Sequence, residues 1–363
     1  MSSFGRATIE RMSLKAAFYE GNRTVSVGEC TPVDPGPGEV QIQISHCGIC
    51  GTDLHAYHTG SPYNPAICGH EWAGTVMALG PSGDGKPTPS PLREGDRVVM
   101  AVPVACGRCA ECRAGHAHRC AAIMALAYGI HPLTPPHGGY APRIAVPADS
   151  LVVVPDALSI DDAAMVEPAT VALHAIRRRS PTLGDRVLVL GAGPIGLFAL
   201  QLAHIAGAGE VFVLEPNAAR RSLAESLGAT KAMSPGPEAD EWILGQTGGL
   251  GVDMVYECSG SQAAMDAGFQ LVRPGGAFML IGVSGEGVRL DPIACITKEI
   301  LLDNSTAHHH HEFSITMDLM LDGRLKAGPL LSQTLGLDDL DAGFRALCAG
   351  EAAKILVAPA DGA

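Results

Sequence analysis

The stretch Arg186-Val187-Leu188-Val189-Leu190 runs directly into Gly191-Ala192-Gly193-Pro194-Ile195-Gly196 and then into an apolar segment ending near Ala206. A short apolar run, three glycines spaced G-x-G-x-x-G and a second apolar run specify a strand, a tight turn and a helix. The first glycine permits the turn, the second lets a pyrophosphate approach the backbone, and the third lets the helix pack on the strand. The N-terminus of that helix favours the diphosphate charge. Such a strand is apolar on both faces and needs helices on both sides. The following sequence supplies further units: strands at Glu210–Leu214, Val252–Glu257 and Ala277–Ile281, and helices at Ala218–Leu227 and Gln262–Leu271. A helix over Ala163–Arg178 precedes them. The expectation is an α/β unit with a doubly wound parallel sheet.

That unit does not account for a chain of 363 residues, so a second domain is expected. The first half is irregular and mostly β. A hairpin is read over 14–30, clean alternation marks Val40–Ile44, and further strands are read at Trp72–Leu79 and from Val98 to Ala101. Residues 80–91 read as an exposed Pro/Gly/Ser loop. Helices over 312–323 and 338–349 and a closing strand Ala353–Val357 suggest a tail that returns to the first domain. The domain reading is therefore 1–162 for the first unit with a cysteine lobe at 103–121, 163–306 for the dinucleotide unit, and 307–363 for the return.

Chemistry concentrates just after the alternating strand, in Cys47-Gly48-Ile49-Cys50-Gly51-Thr52-Asp53-Leu54-His55 and in Gly69-His70-Glu71. Cys50 and His70 offer a thiolate and an imidazole, with Glu71 and the distant Glu167 as possible oxygen ligands. Zinc accepts such a mixed set and, at a catalytic site, keeps a position open. Asp53 suits the task of orienting His70. Thr52 and His55 can pass a proton from a substrate hydroxyl outward. Cys47 is read as a packed or near-site thiol. Tyr57, Tyr63, Trp72, Met124 and Asn304 are candidate pocket residues.

Cys106, Cys109, Cys112 and Cys120 form a separate group with the spacing C-x2-C-x2-C-x7-C. Four thiolates close a tetrahedral zinc shell, and would also hold an iron–sulfur cluster. Zinc is favoured, because no Cys-Pro ending follows and no other motif needs an electron relay. His116 and His118, inside this loop, are read as solvent-facing spectators.

In the dinucleotide unit the strand after the glycine turn ends at Glu215. A carboxylate there accepts from ribose hydroxyls and repels a 2′-phosphate, so NAD is favoured, although Arg220 and Arg221 leave NADP open. The formal net charge of −13 disfavours nucleic acid and anionic membrane surfaces. No basic-then-apolar leader and no long apolar run are found, which gives the expectation of a soluble, cytoplasmic protein.

Taken together, these residues resemble the zinc-dependent medium-chain dehydrogenase/reductase family, most closely its polyol (sorbitol), butanediol and threonine dehydrogenase branches. The resemblance covers nearly the whole length. It implies a GroES-like catalytic domain joined to a Rossmann domain, two zinc ions per chain, NAD, and a homodimer or homotetramer joined through the cofactor domains. It assigns Cys50, His70, Glu71 and Glu167 to the catalytic zinc or its immediate surroundings, Cys106, Cys109, Cys112 and Cys120 to a structural zinc, and Thr52 and His55 to proton relay. Gly191, Gly193, Pro194, Ile195, Gly196, Glu215, Arg220, Cys258, Ile281 and Val283 are the expected cofactor positions. Glu167 stands where simple alcohol dehydrogenases carry cysteine, which tilts the substrate toward a secondary alcohol, diol or polyol, with a cyclitol or amino alcohol also in view. An NADP-dependent carbonyl reductase and a zinc-free quinone or enone reductase are the alternatives within the fold, and a non-enzymatic nicotinamide sensor is the alternative outside enzymes. One segment departs from the family pattern: His308-His309-His310-His311 is read either as a surface loop or as contacts to substrate or a partner subunit.

Overall fold

The computed structural model describes residues 14–21, 23–31, 34–59, 69–81, 91–101, 105–121, 138–283 and 287–359. The chain opens with an antiparallel pair, β1 (Leu14–Gly21) and β2 (Thr24–Cys30). Then come β3 (Glu39–Gly48), α1 (Gly51–Thr59), β4 (Glu71–Leu79), β5 (Arg97–Met100), the short α2 (Ala110–Arg113), β6 (Arg143–Pro147) and β7 (Leu151–Val153). β3 alternates as its sequence demands: Val40, Ile42 and Ile44 are at most 1% exposed, with Gln41 and Gln43 on the other face.

Two helices follow, α3 (Ile160–Ala164) and α4 (Val166–Arg178). The sequence suggested one helix over Ala163–Arg178, and this is corrected by a break at Met165, with φ −101° and ψ 1°. Pro168 explains the break. In a continuous helix it would lack its N–H and strike the carbonyl one turn earlier, whereas in the first turn of a restarted helix neither cost arises.

The second sheet is parallel and six-stranded. Its strands are β8 (Arg186–Leu190), β9 (Glu210–Leu214), β10 (Lys231–Met233), β11 (Val252–Glu257), β12 (Val272–Leu280) and β13 (Leu301–Asn304), in the order β10-β9-β8-β11-β12-β13. Helices α5 (Pro194–Ile205), α6 (Ala218–Ser226), α7 (Pro237–Gln246), α8 (Gln262–Leu271) and α9 (Pro292–Thr297) connect them. The strand pattern reads out on both faces. Val187, Val189, Val211 and Val213 enter one core, and Leu188, Leu190, Phe212 and Leu214 enter the other. α5 starts at Pro194 rather than at Gly196, because Gly193 caps it and proline suits the first helical position.

After α10 (Glu312–Leu321) come β14 (Leu331–Gly336), α11 (Leu340–Cys348) and β15 (Lys354–Ala358). These last strands join the first domain in a seven-stranded sheet, β14-β15-β3-β4-β5-β7 with β6 on β3. The chain thus builds a GroES-like mixed sheet and a Rossmann-type parallel sheet. One core runs across both, since Ala73, Val99 and Leu356 belong to the same cluster as Val187 and Phe198. Residues 82–90 of the anticipated Pro/Gly/Ser loop lie outside the described residues. Among the described residues no helix is long and apolar enough to cross a membrane.

Candidate metal and cofactor site

Cys50 lies between β3 and α1, and the first turn of that helix organises it. Its Sγ accepts from the Thr52 backbone N–H at 3.5 Å, while Asp53 Oδ2 accepts from the Cys50 N–H at 3.0 Å. This is a capping box with a cysteine in place of serine: two donors that the helix start would orphan are satisfied reciprocally. The buried Tyr140 hydroxyl donates to the same Asp53 oxygen at 2.8 Å. Asp53 Oδ1 is left buried without a hydrogen-bond partner, 4.0 Å from His70 Nδ1.

His70 immediately precedes β4. Antiparallel pairing of Gly48 with Glu71 brings the start of β4 alongside the end of β3. Cys50, His70 and Glu71 thereby present ligand atoms within 4.8 Å of one another. Glu71 is also paired with the ammonium of Lys354, which is 1% exposed and donates a second bond to the Ile49 carbonyl at 2.9 Å. A Cβ at Gly48 would sit 2.5 Å from Glu71 Oε2 and 2.8 Å from Lys354 Cε, so this ion pair requires glycine there.

Glu167, in the first turn of α4, stands outside that trio. Its Oε1 is 3.1 Å from His308 Nε2, and His308 is 2% exposed. The first histidine of the run is therefore an interior partner of Glu167 rather than part of a surface loop, whereas His310 and His311 are exposed. Thr52 Oγ1 lies 3.5 Å from Cys50 Sγ, and His55 is half-buried one helical turn further on. Cys47 is fully buried, and burial pushes its thiol well above the ordinary value, which suits packing rather than ligation. Tyr57 and Trp72, read as pocket residues, are core residues instead. They are 4% and 2% exposed, and the Tyr57 hydroxyl is 3.1 Å from Asp341 Oδ1. Asn304 is exposed, and Tyr63 and Met124 lie outside the described residues.

The four cysteines of the lobe converge, all with Sγ atoms within 4.8 Å. Cys109–Cys112, Cys109–Cys120 and Cys106–Cys112 are 3.4, 3.9 and 4.0 Å apart. A tetrahedral zinc with ordinary zinc–sulfur bonds sets its sulfurs about 3.8 Å apart, so the group fits that ion. Backbone N–H groups of Cys112 and Ala121 help to lower the Cys109 thiol to about 6, toward the thiolate a metal needs. His116 faces solvent as expected, its side chain 45% exposed and 3.2 Å from Glu111. For His118 the expectation is corrected: it is half-buried, and its ring is 4.1 Å from that of His309.

The glycine turn has the form its spacing implies. Gly191 holds φ +92°, and a Cβ on Gly196 would come within 1.9 Å of the Gly191 carbonyl oxygen. Glu215 directly follows β9 and ties the cradle together, accepting from Ala192 N at 2.7 Å and Asn217 N at 2.9 Å. Arg221 donates to the Glu215 and Pro216 carbonyls, and Arg220 to the Ala352 carbonyl. The Cys258 N–H bonds to the Leu190 carbonyl and the Ile281 N–H to the Glu257 carbonyl, at the ends of neighbouring strands, while Val283 is 76% exposed. Lys354, Tyr140 and Glu257 escaped the sequence reading. Glu257 is 1% exposed and accepts from Ser259 N and Gly260 N, shaping the turn beside Gly191.

Residues 36–156 match the alcohol dehydrogenase GroES-like domain, and residues 194–322 the zinc-binding dehydrogenase domain. A sorbitol dehydrogenase of Bacillus subtilis is 34% identical over 281 residues, 76% of each chain. An L-threonine 3-dehydrogenase of Pyrococcus horikoshii is 32% identical over 89% of this chain and 91% of its own. The crystal structure of a zinc-binding dehydrogenase from Sinorhizobium meliloti, bound to NADP, superposes with a TM-score of 0.85 at 30% identity, covering 96% of this chain and all of that one. By its two domains, its site and its relatives, the chain belongs to the zinc-dependent medium-chain dehydrogenase/reductase family, related to the polyol, butanediol and threonine dehydrogenase branches.

Proposed function

We propose that this oxidoreductase oxidises a secondary alcohol, diol or polyol to the ketone with NAD, reversibly, using one catalytic and one structural zinc. The carrying observation is the convergence of Cys50, His70 and Glu71, with ligand atoms within 4.8 Å. A thiolate, an imidazole and a carboxylate fit zinc and leave a fourth position open. When bound, the ion supplies a Lewis acid for the substrate oxygen and the nicotinamide supplies the hydride acceptor.

The chain's own residues do the rest. Cys50, His70 and Glu71 hold the ion, and Lys354 balances the charge of Glu71. Asp53 orients His70 and locks the Cys50 backbone. Thr52 Oγ1, next to the thiolate, takes the hydroxyl proton of the substrate and passes it to His55, whose ring delivers it outward. Glu167, held by His308, provides a polar wall that suits a substrate with more than one hydroxyl. In the cofactor unit, Gly191, Gly193 and Gly196 admit the pyrophosphate to the start of α5, with Pro194 and Ile195 in the same turn. Glu215 offers its remaining lone pairs to the ribose hydroxyls, and Cys258, Ile281 and Val283 line the nicotinamide half. The unit boundaries at residues 162 and 306 belong to the same reading.

NADP is the second reading, favoured by the NADP-bound relative and by Arg220 and Arg221 beside Glu215. Both guanidinium groups hold backbone carbonyls, which supports NAD instead. A screen of secondary alcohols, diols, sugar alcohols and amino-cyclitols, followed by nicotinamide absorbance with each cofactor, decides both points. Turnover of a diol or polyol with NAD is expected. No absorbance change with any of them, on protein of verified zinc content, would sink the assignment. A Thr52→Ala enzyme that keeps zinc and NAD and is fully active would remove the proposed proton path.

A further inference from the structure

Outside the two sites above, three histidines from distant parts of the chain meet at one point. His118 comes from the cysteine lobe, His174 from the middle of α4, and His309 from the turn before α10. Each offers a ring nitrogen within 4.8 Å of the others. The ring centroids are 4.1 Å apart for His118–His309, 5.0 Å for His174–His309 and 5.3 Å for His118–His174. The rings are tilted edge to face, with 62–76° between planes, so they are not a face-to-face stack.

His174 supplies a separate observation. It is 3% exposed, its Nδ1 is 2.9 Å from Glu312 Oε2, and its Nε2 is buried with no hydrogen-bond partner. His118 Nδ1 is buried and unpartnered as well. An orphaned ring nitrogen costs free energy unless something accepts its lone pair or its proton. The carboxylate on Nδ1 fixes the tautomer: Nδ1–H donates to Glu312, and the buried Nε2 is left with a free lone pair. A carboxylate behind an imidazole is the arrangement that orients histidine ligands and raises their basicity. Glu312 is 2% exposed and also accepts from the His309 backbone N–H at 2.8 Å, so one carboxylate positions two of the three histidines.

We infer that His118, His174 and His309 form a third metal site, which takes a divalent transition-metal ion of the zinc type through three imidazoles. Imidazole donors without thiolate suit zinc, copper and nickel, and three leave a fourth position for water or an anion. That position opens into a pocket of about 370 Å³ whose wall includes Arg119, Arg177 and Arg178. The ion pins the cysteine lobe, which has no buried residue in α2, to the helices α4 and α10. Its role is to staple the lobe to the rest of the molecule, and it is independent of the reaction proposed above.

The test uses the full-length protein, purified without an affinity tag, loaded with zinc and passed through gel filtration before elemental analysis. Three zincs per chain are expected in the wild type and two in both His174→Gln and His309→Ala, with a lower thermal midpoint and unchanged turnover. His309 lies on a half-buried turn, so its replacement reads out the site without disturbing the core. Glu312→Gln is expected to keep the ion but weaken it about tenfold or more. Replacing the exposed His310, which does not line the pocket, by alanine should change nothing. With cobalt(II) in place of zinc, the third site is expected to add absorbance without a thiolate charge-transfer band. A wild-type count of two overturns the site. So does a third ion that survives His174→Gln and His309→Ala but leaves with His310→Ala, since that marks adventitious binding by the exposed run.

Discussion

Lys354 illustrates how much of this site depends on single residues far away in sequence. Its ammonium is buried against Glu71 and beside Ile49, on the closing strand β15. Removing one partner of such a pair strands the other charge in the interior, which costs about 3–5 kcal/mol, whereas replacing both costs far less. Lys354→Met is therefore expected to lower stability by that order and to lose catalytic zinc. Adding Glu71→Gln to it should recover much of the stability but not the metal. Chemical denaturation combined with metal analysis would check this, and equal instability of the single and double variants would refute the pairing. His308 acts at one remove through Glu167. His308→Ala is expected to lower kcat/KM about tenfold with zinc unchanged, and His308→Gln to restore part of it. A loss equal in both variants would point to packing instead. Legibility divides along the same line. Cys50, His70 and Gly191–Gly196 could be read because their chemistry is tied to local spacing, a strand end or a turn. Lys354, Tyr140 and Glu257 could not, since a lone lysine, tyrosine or glutamate carries no pattern until the sheets bring it to its partner.

At the level of elements, periodicity was informative wherever one face had to be buried. The alternation of β3 and the two-sided apolar runs of β8 and β9 named their cores correctly. The helix over 163–178 reads as continuous in its apolar pattern, but Pro168 denies a continuous helix one N–H and strikes the carbonyl one turn earlier, which sets the break at Met165. The parallel sheet also depends on a polar knot that periodicity does not reveal. Asp253 in β11 accepts from the Arg186 N–H of β8 at 2.8 Å and from Arg273 Nε of β12 at 2.6 Å, joining three adjacent strands. Burial pushes its carboxyl up, but these donors and the two guanidinium charges hold it below the ordinary value. A folded-state value below the unfolded one means that the stabilisation is complete above about pH 4 and is lost as pH falls through the depressed value. Asp253→Asn is expected to cost about 1–3 kcal/mol at pH 7. The difference from wild type should shrink as the pH is lowered toward 3, which denaturation at several pH values would show. A difference independent of pH would assign the loss to geometry and not to charge.

For the whole molecule, the open question is what covers the far edge of the parallel sheet. β10 and β13 are its two edges, and β13 carries Leu301 and Leu302 at 52% and 38% exposed. Just before it in the chain, Ile293 and Ile296 of α9 are 72% and 75% exposed, and Leu290 is 44% exposed. A strand edge with open backbone groups and apolar side chains is a pairing template, and soluble proteins either blunt such an edge or cover it. This one has no proline, no lysine and no bulge: its sequence is Leu-Leu-Asp-Asn. The simplest cover is a second copy placed by a twofold axis, so that each β13 pairs antiparallel with its mate and the two parallel sheets become continuous. Such a dimer would join the cofactor units and leave the cysteine lobe out of the interface. Light scattering on the purified protein is expected to give a dimer or a dimer of dimers. Ile296→Lys combined with Leu301→Lys should yield monomers with a folded cofactor unit, judged by retained nicotinamide binding. A monomeric wild type, or a variant that remains dimeric, would place the interface elsewhere and leave β13 as an uncovered edge.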